Sequence, residues 1–194
     1  MGALHSVLGR EADTVHCVEA ACREDPLAPI VHGMGSFALA TTGRFADAEA
    51  LARHGLELQP DHLFTLRRHA YALSGLARHA EAVATMERAL PLAPTPISKG
   101  VLGLIYGRAG RHGEAGTLRA ELEALAARGE ISVGMARLAL ELGSNDPARV
   151  RAAFTMALAE GCGAYHIKVA CGGFLEPYRS DPEIGRIHRH LYGW

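Results

Sequence analysis

The chain has 194 residues, of which 48% are hydrophobic and 21% charged, and its formal net charge is −1 at pH 7. That apolar content can supply a continuous core and excludes a disordered polymer, while the near-neutral balance gives no general attraction to nucleic acid or anionic lipid. No apolar run approaches the roughly 18 residues needed to cross a bilayer, and the N-terminus lacks the basic-then-apolar order of a signal peptide, so a cytosolic protein with no membrane contact is the expectation.

In chain order, residues 10–24 read as a helix that stops before Pro26. The stretch "GRFADAEALARHGLELQP" at 43–60 opens on a Gly-Arg turn, runs through an alanine-rich amphipathic segment and ends at a proline. Nearly the same phrase occurs at 9–26, 77–94 and 110–129. Pro26, Pro60 and Pro94 are 34 residues apart each time, and the units open at Gly9, Gly43, Ala77 and Gly110. A fixed period of this length predicts stacked helix–turn–helix units. Ala48, Ala82 and Ala115 follow the turn by five residues, and Ala21 and Ala89 precede a proline by five; small side chains at matched places predict close helix crossings. Beyond residue 130 the repeat loosens. Segments 132–143 and 146–161 predict a further helix pair, the second with Asp146 as N-cap and Pro147 at its first position. Residues 174–191 predict a turn and a short final helix capped in the same way by Asp181 and Pro182.

The period, together with "LGLIYGRAGRHGEA" at 102–115, resembles the tetratricopeptide repeat: Leu102, Gly103, Tyr106, Gly110 and Ala115 match its pattern in order. The two central units are more degenerate, with Gly35-Ser36 and His69-Ala70 at the Leu-Gly places and Leu39 and Leu73 at the Tyr place. The resemblance implies an all-α solenoid, a right-handed superhelix of about ten helices in a single domain over 1–194. Its parts are a truncated first repeat at 1–28, three full repeats over 29–129 (29–62, 63–95 and 96–129), a degenerate helix pair at 130–161 and a C-terminal cap at 162–194. The short "MGALHSVL" fits either excision from a larger protein or a natural truncated cap. The run Glu176 to Glu183 resembles the closing phrase of bacterial tetratricopeptide regions that occur fused to class III adenylate cyclases, Ser/Thr kinases and winged-helix regulators. The chain carries none of those catalytic or DNA-binding parts, so the resemblance implies a scaffold for a protein or peptide partner, such as a domain of a parent protein.

In such an array the first helices of successive repeats line a concave groove. The register places Ile30, Gly33, Phe37 and Ala40, then Phe64, Arg67, Tyr71 and Ser74, then Ile97, Gly100, Leu104 and Arg108 on that side. Aromatic and arginine side chains most often dominate interface energies. The expected partner-binding residues are therefore Phe37, Phe64, Arg67, Tyr71, Leu104 and Arg108, presenting one contiguous apolar surface. Arg67 or Arg68 would meet an acidic group, Arg67 setting orientation and Tyr71 affinity. A family of chaperone-binding repeats clamps a C-terminal carboxylate with Lys, Asn and Arg; Gly33 and Phe37 occupy two of those places, which favours an apolar helix or extended peptide instead. A fold-back of 162–178 into the groove is a further arrangement.

The remaining signals point to no catalytic residues, no metal and no cofactor. Four irregularly spaced cysteines are not a disulfide framework. Cys22 reads as a small core hydrophobe and Cys17 as partly exposed, and Cys162, His166 and Cys171 lack a fourth ligand for a zinc site. "GRAGRHGEAG" at 107–116 lacks the Gly-Lys-Ser/Thr ending of a phosphate loop, and the repeat accounts for it as a turn. Gly2 and Ser6 match a myristoylation pattern, which in a chain that begins in mid-repeat reads as accidental. His188 and His190 fall about 200° apart on a helix and cannot share a ligand. His5, His16, His54, His79 and His112 read as solvated. The only polar constellation for a small-molecule site or an unusual enzyme is His32, His69, Tyr71 and Arg67, and a deep pocket holding all four would favour that alternative.

Overall fold

The computed structural model describes residues 11–129, 132–163, 167, 171, 173–178 and 180–185. They form helices and no strand: α1 (Glu11–Glu24), α2 (Pro29–Thr41), α3 (Phe45–Leu58), α4 (Leu63–Gly75), α5 (His79–Ala89), α6 (Pro96–Arg108), α7 (His112–Arg128), α8 (Gly134–Glu141) and α9 (Pro147–Ala159), with 3-10 turns at Leu90–Leu92 and Glu176–Tyr178 and further helical residues at 173–175 and 182–185. None of these helices is long and apolar enough to cross a membrane. Gly2, His5, Ser6, Gly9, His166, His188 and His190 lie outside the described residues.

The chain divides into two compact units, Met1–Ala93 and Pro94–Trp194. In the first, α1 packs on α2, α2 on α3 and α4, and α4 on α3 and α5. In the second, α6 packs on α7 and α8, and α8 on α9.

The recurring Gly-Arg phrase is a single turn built three times. Helices α2, α4 and α6 begin at 29, 63 and 96, and α3, α5 and α7 at 45, 79 and 112. Each pair is joined through a left-handed residue, Gly43 (φ 82°), Ala77 (φ 59°) or Gly110 (φ 76°). The following arginine N–H reaches back to the carbonyl five residues earlier: Arg44 to Leu39 at 3.1 Å, Arg78 to Leu73 at 3.0 Å and Arg111 to Tyr106 at 2.8 Å. These bonds occupy carbonyls that the helix end leaves open. The same arginines then hold the first turn of the next helix, Nε to Asp47 at 2.7 Å, to Glu81 at 2.8 Å and to Glu114 at 2.8 Å. These bonds hold the Glu81 and Glu114 carboxyls below their ordinary range.

Of the three turns, only the one at Ala77 asks a β-carbon to adopt the left-handed conformation, at a cost of about 1–2 kcal/mol, partly offset by the ~0.5–1 kcal/mol of backbone entropy that glycine loses on folding. Ala77→Gly should therefore raise stability by about 0.5–1 kcal/mol, read as a higher urea midpoint at unchanged slope. A lower midpoint would contradict the geometry of this turn.

Ala48, Ala82 and Ala89 are fully buried and Ala115 nearly so, as matched crossing points require. Ala21 departs from the expectation and is exposed, because the buried stripe of α1 runs through Thr14 and Val18 toward Cys22. Gly103 lies at a close crossing with α8: a Cβ there would come within 2.6 Å of the Leu140 side chain. Asp146 caps α9 through the amides of Ala148 (3.0 Å) and Arg149 (3.3 Å), and Asp181 accepts from Glu183 (3.0 Å) and Ile184 (3.1 Å). In the C-terminal segment, Phe174, Leu175, Tyr178 and Ile184 are buried.

Candidate partner-binding face

Residues 30, 34 and 37 of α2 share one side of the helix, since steps of four and three residues return to nearly the same angle. On α4, residues 64, 67, 68 and 71 do the same. Gly33 lets the two helices approach: a Cβ there would lie 2.7 Å from Thr65 Oγ1 and 2.9 Å from Phe64 Cδ1. The starts of the helices are tied as well, with Thr65 Oγ1 donating to the Pro29 carbonyl at 3.1 Å.

Across this contact Phe37 and Phe64 meet edge to face, with centroids 6.4 Å apart and planes at 83°. The Arg68 guanidinium carbon sits 3.8 Å from the Phe37 centroid and 4.7 Å from that of Phe64, while Arg67 lies 5.7 Å from Phe64. A cation over an aromatic face is attracted by the ring quadrupole, more strongly when desolvated. Burial pushes the Arg67 guanidinium pKa down, yet arginine stays charged at any physiological pH. Next to this cluster Ile30 (47% exposed) and Met34 (43%) stand in solvent, preceded by Leu27 (74%).

The structure brings three of the six expected residues together: Phe37, Phe64 and Arg67. The expectation of a single presented surface is corrected at the other three. Tyr71 is 4% exposed and packs toward Phe45, 6.4 Å between centroids. Leu104, in the second unit, is fully buried because α6 approaches Gly143 so closely that a Cβ on Gly143 would come 2.4 Å from the Leu104 carbonyl oxygen. Arg108, also in that unit, stacks 4.6 Å over the Phe174 ring of the C-terminal segment. Phe37 is itself 8% exposed, lying under Arg68, so the accessible part of the face is Phe64, Arg67 and Arg68 with Ile30 and Met34. Met34 was missed by the register, which followed 30, 33, 37 and 40. The spacing of Leu27, Ile30 and Met34 was the available signal.

The four-residue polar constellation is dispersed. His32 is 3% exposed and bound at the α1–α2 turn. His69 instead meets Glu49, Nε2 to Oε1 at 3.2 Å, and the same carboxylate oxygen receives Arg78 Nη1 at 3.3 Å. His69 lines a cleft of about 270 Å³ with Arg53, Leu56, Glu57, Pro60, Leu66, Thr85 and Arg88, none of them a member of the constellation. Among the described residues no three His, Cys, Asp or Glu side chains are grouped to hold a metal ion.

Burial lowers the His69 pKa below its ordinary 6.5, outweighing the Glu49 hydrogen bond that raises it. The folded state thus prefers neutral His69, and the unfolded chain binds more protons just below pH 6.5. The contribution is present above that pH and is lost as pH falls through 6.5 toward the lower folded value. In urea titrations the wild type should lose stability between pH 7.5 and 5.5, and His69→Gln should flatten that slope; an equal slope in both would remove His69 as its source.

No protein-family model matches the chain, and no curated protein matches it.

Proposed function

We propose that the protein is a non-catalytic interaction module of the tetratricopeptide type, a scaffold or regulatory element that binds a protein segment on the α2–α4 face. The observation that carries this reading is the exposed Ile30–Met34 ridge continuing into the Phe37–Arg68–Phe64–Arg67 cluster. Apolar residues at i and i+4 beside fixed guanidinium groups suit an amphipathic helix or extended peptide with apolar anchors and an acidic side chain. The threefold repetition of one turn supports the repeat assignment, and the dispersal of His32, His69, Tyr71 and Arg67 favours binding over catalysis. Tyr71 is a packing residue in this reading, so its truncation would report on stability rather than affinity.

Panning a random peptide library against the full chain tests the proposal. Selected peptides should combine apolar anchors with Asp or Glu. Met34→Asp should weaken their binding by tenfold or more, about 1.4 kcal/mol, with the melting temperature retained, since Met34 is exposed. Arg67→Glu should weaken acidic peptides, with a loss that shrinks as salt rises. Peptides that bind both variants as they bind the wild type would place the site elsewhere.

A further inference from the structure

In the first unit α1, α2 and α3 surround a cleft of about 400 Å³. Val15, Val18, Leu39 and Leu51 give it an apolar lining, and Cys22 and His54 belong to the same wall. Glu19, Arg44 and Asp47 also line it, the last two ion-paired at 2.7 Å.

Behind the thiol stands an ordered base. Cys22 Sγ lies 4.0 Å from His32 Nδ1, and His32 Nε2 lies 2.7 Å from the carbonyl oxygen of Pro26. A carbonyl only accepts, so Nε2 carries the proton, and in the neutral ring Nδ1 is left as a lone pair directed at the thiol. The ring is fixed in place: it is almost wholly buried, the His54 ring abuts it at 85° with centroids 4.7 Å apart, and Gly55 makes room, a Cβ there falling 2.8 Å from His32 Cβ. Nucleophile, base and base-orienting acceptor thus stand in sequence beside a cavity, the arrangement that activates a weak nucleophile. Burial pushes the Cys22 thiol pKa up, so the resting group is S–H and its proton has to leave as the sulfur reacts.

We propose that Cys22 is a covalent modification site for small, mainly apolar electrophiles of the α,β-unsaturated carbonyl class, admitted by this cleft. The sulfur forms a bond to the β-carbon, the C=C π pair moves toward the carbonyl as an enolate, and the thiol proton passes to His32 Nδ1. That proton then returns to the α-carbon, leaving a thioether and neutral His32, with no external oxidant or reductant.

Cys17, half-buried on the same helix, is an internal reference. The full chain is treated with N-phenylmaleimide, and each cysteine is followed by peptide mass spectrometry. Cys22 should be labelled at least tenfold faster than Cys17, and a sulfonated maleimide with the same reactive group should show a smaller preference. His32→Gln should abolish the preference while leaving the Cys17 rate unchanged. Ala50→Trp, an exposed lining position of the cleft, should slow Cys22 alone by tenfold or more. Equal labelling of Cys22 and Cys17, or a preference that survives His32→Gln, overturns the proposal. Should His32→Gln unfold the chain, seen as a rise in the Cys17 rate, the Ala50→Trp result decides.

Discussion

Arg119→Ala is expected to destabilise the second unit by about 3–5 kcal/mol, the range for removing one partner of a buried ion pair. Glu141, at the end of α8, is 2% exposed. Both of its carboxylate oxygens are satisfied by one guanidinium on α7, Arg119 Nε to Oε1 at 2.6 Å and Nη2 to Oε2 at 3.1 Å. The hydrogen bond to Glu141 pushes the Arg119 pKa up. Alanine would strand a charge that water cannot reach, whereas replacing both residues by hydrophobic ones of similar size removes charge and counter-charge together. Arg119→Met with Glu141→Leu should therefore recover most of the loss. Urea unfolding of the single and double variants measures this directly. A single-variant loss below 1 kcal/mol would mean that the carboxylate is solvated after all.

The second large effect belongs to the glycines of α6. Gly100 faces the backbone of Ala136, where a Cβ would lie 2.3 Å from the carbonyl oxygen, and Gly107 faces the backbone of Gly143, at 2.4 Å. Backbone cannot swing aside, so Gly100→Ala and Gly107→Ala should each cost about 1–3 kcal/mol by forcing α6 and α8 apart. At Gly103 the obstacle is the Leu140 side chain, which can change rotamer. Alanine there gains up to about 1 kcal/mol of helix propensity and should end near neutral, while leucine should cost as much as the other two. Gly116→Ala, on α7 with nothing within 4 Å of the new Cβ, is the control and should stabilise. Thermal midpoints should follow at about 2–4 °C per kcal/mol. Equal responses at 100, 103, 107 and 116 would contradict the close approach of α6 and α8.

How much of this was legible beforehand depended on whether the signal was local. The turns at Gly43, Ala77 and Gly110 and the buried alanines at 48, 82 and 115 follow from a few neighbouring residues and were revealed by the period, and the caps at Asp146 and Asp181 by the Asp-Pro pairs themselves. Which face of a helix stays open is a non-local matter. Tyr71 and Phe64 share a register, yet Phe45 lies beside one and solvent reaches the other. Leu104 looked like a groove residue until α8 came close enough to cover it, an approach permitted by Gly143 in a segment where the repeat has already decayed. The Cys22–His32 contact was illegible for the same reason: it joins two helices across a turn, and the Pro26 carbonyl that sets the tautomer has no signature in side-chain spacing.

The three matching turns have a consequence for how the chain is made. Each joins helices that are neighbours in sequence, and α2–α3, α4–α5 and α6–α7 are each complete within about one period. Contacts of such short separation need little loop closure, which is the condition for rapid folding. As the polypeptide leaves the ribosome, every hairpin can close its arginine-to-carbonyl bond and its aspartate or glutamate bridge before the next has been synthesised. Folding can then advance with elongation, one hairpin at a time.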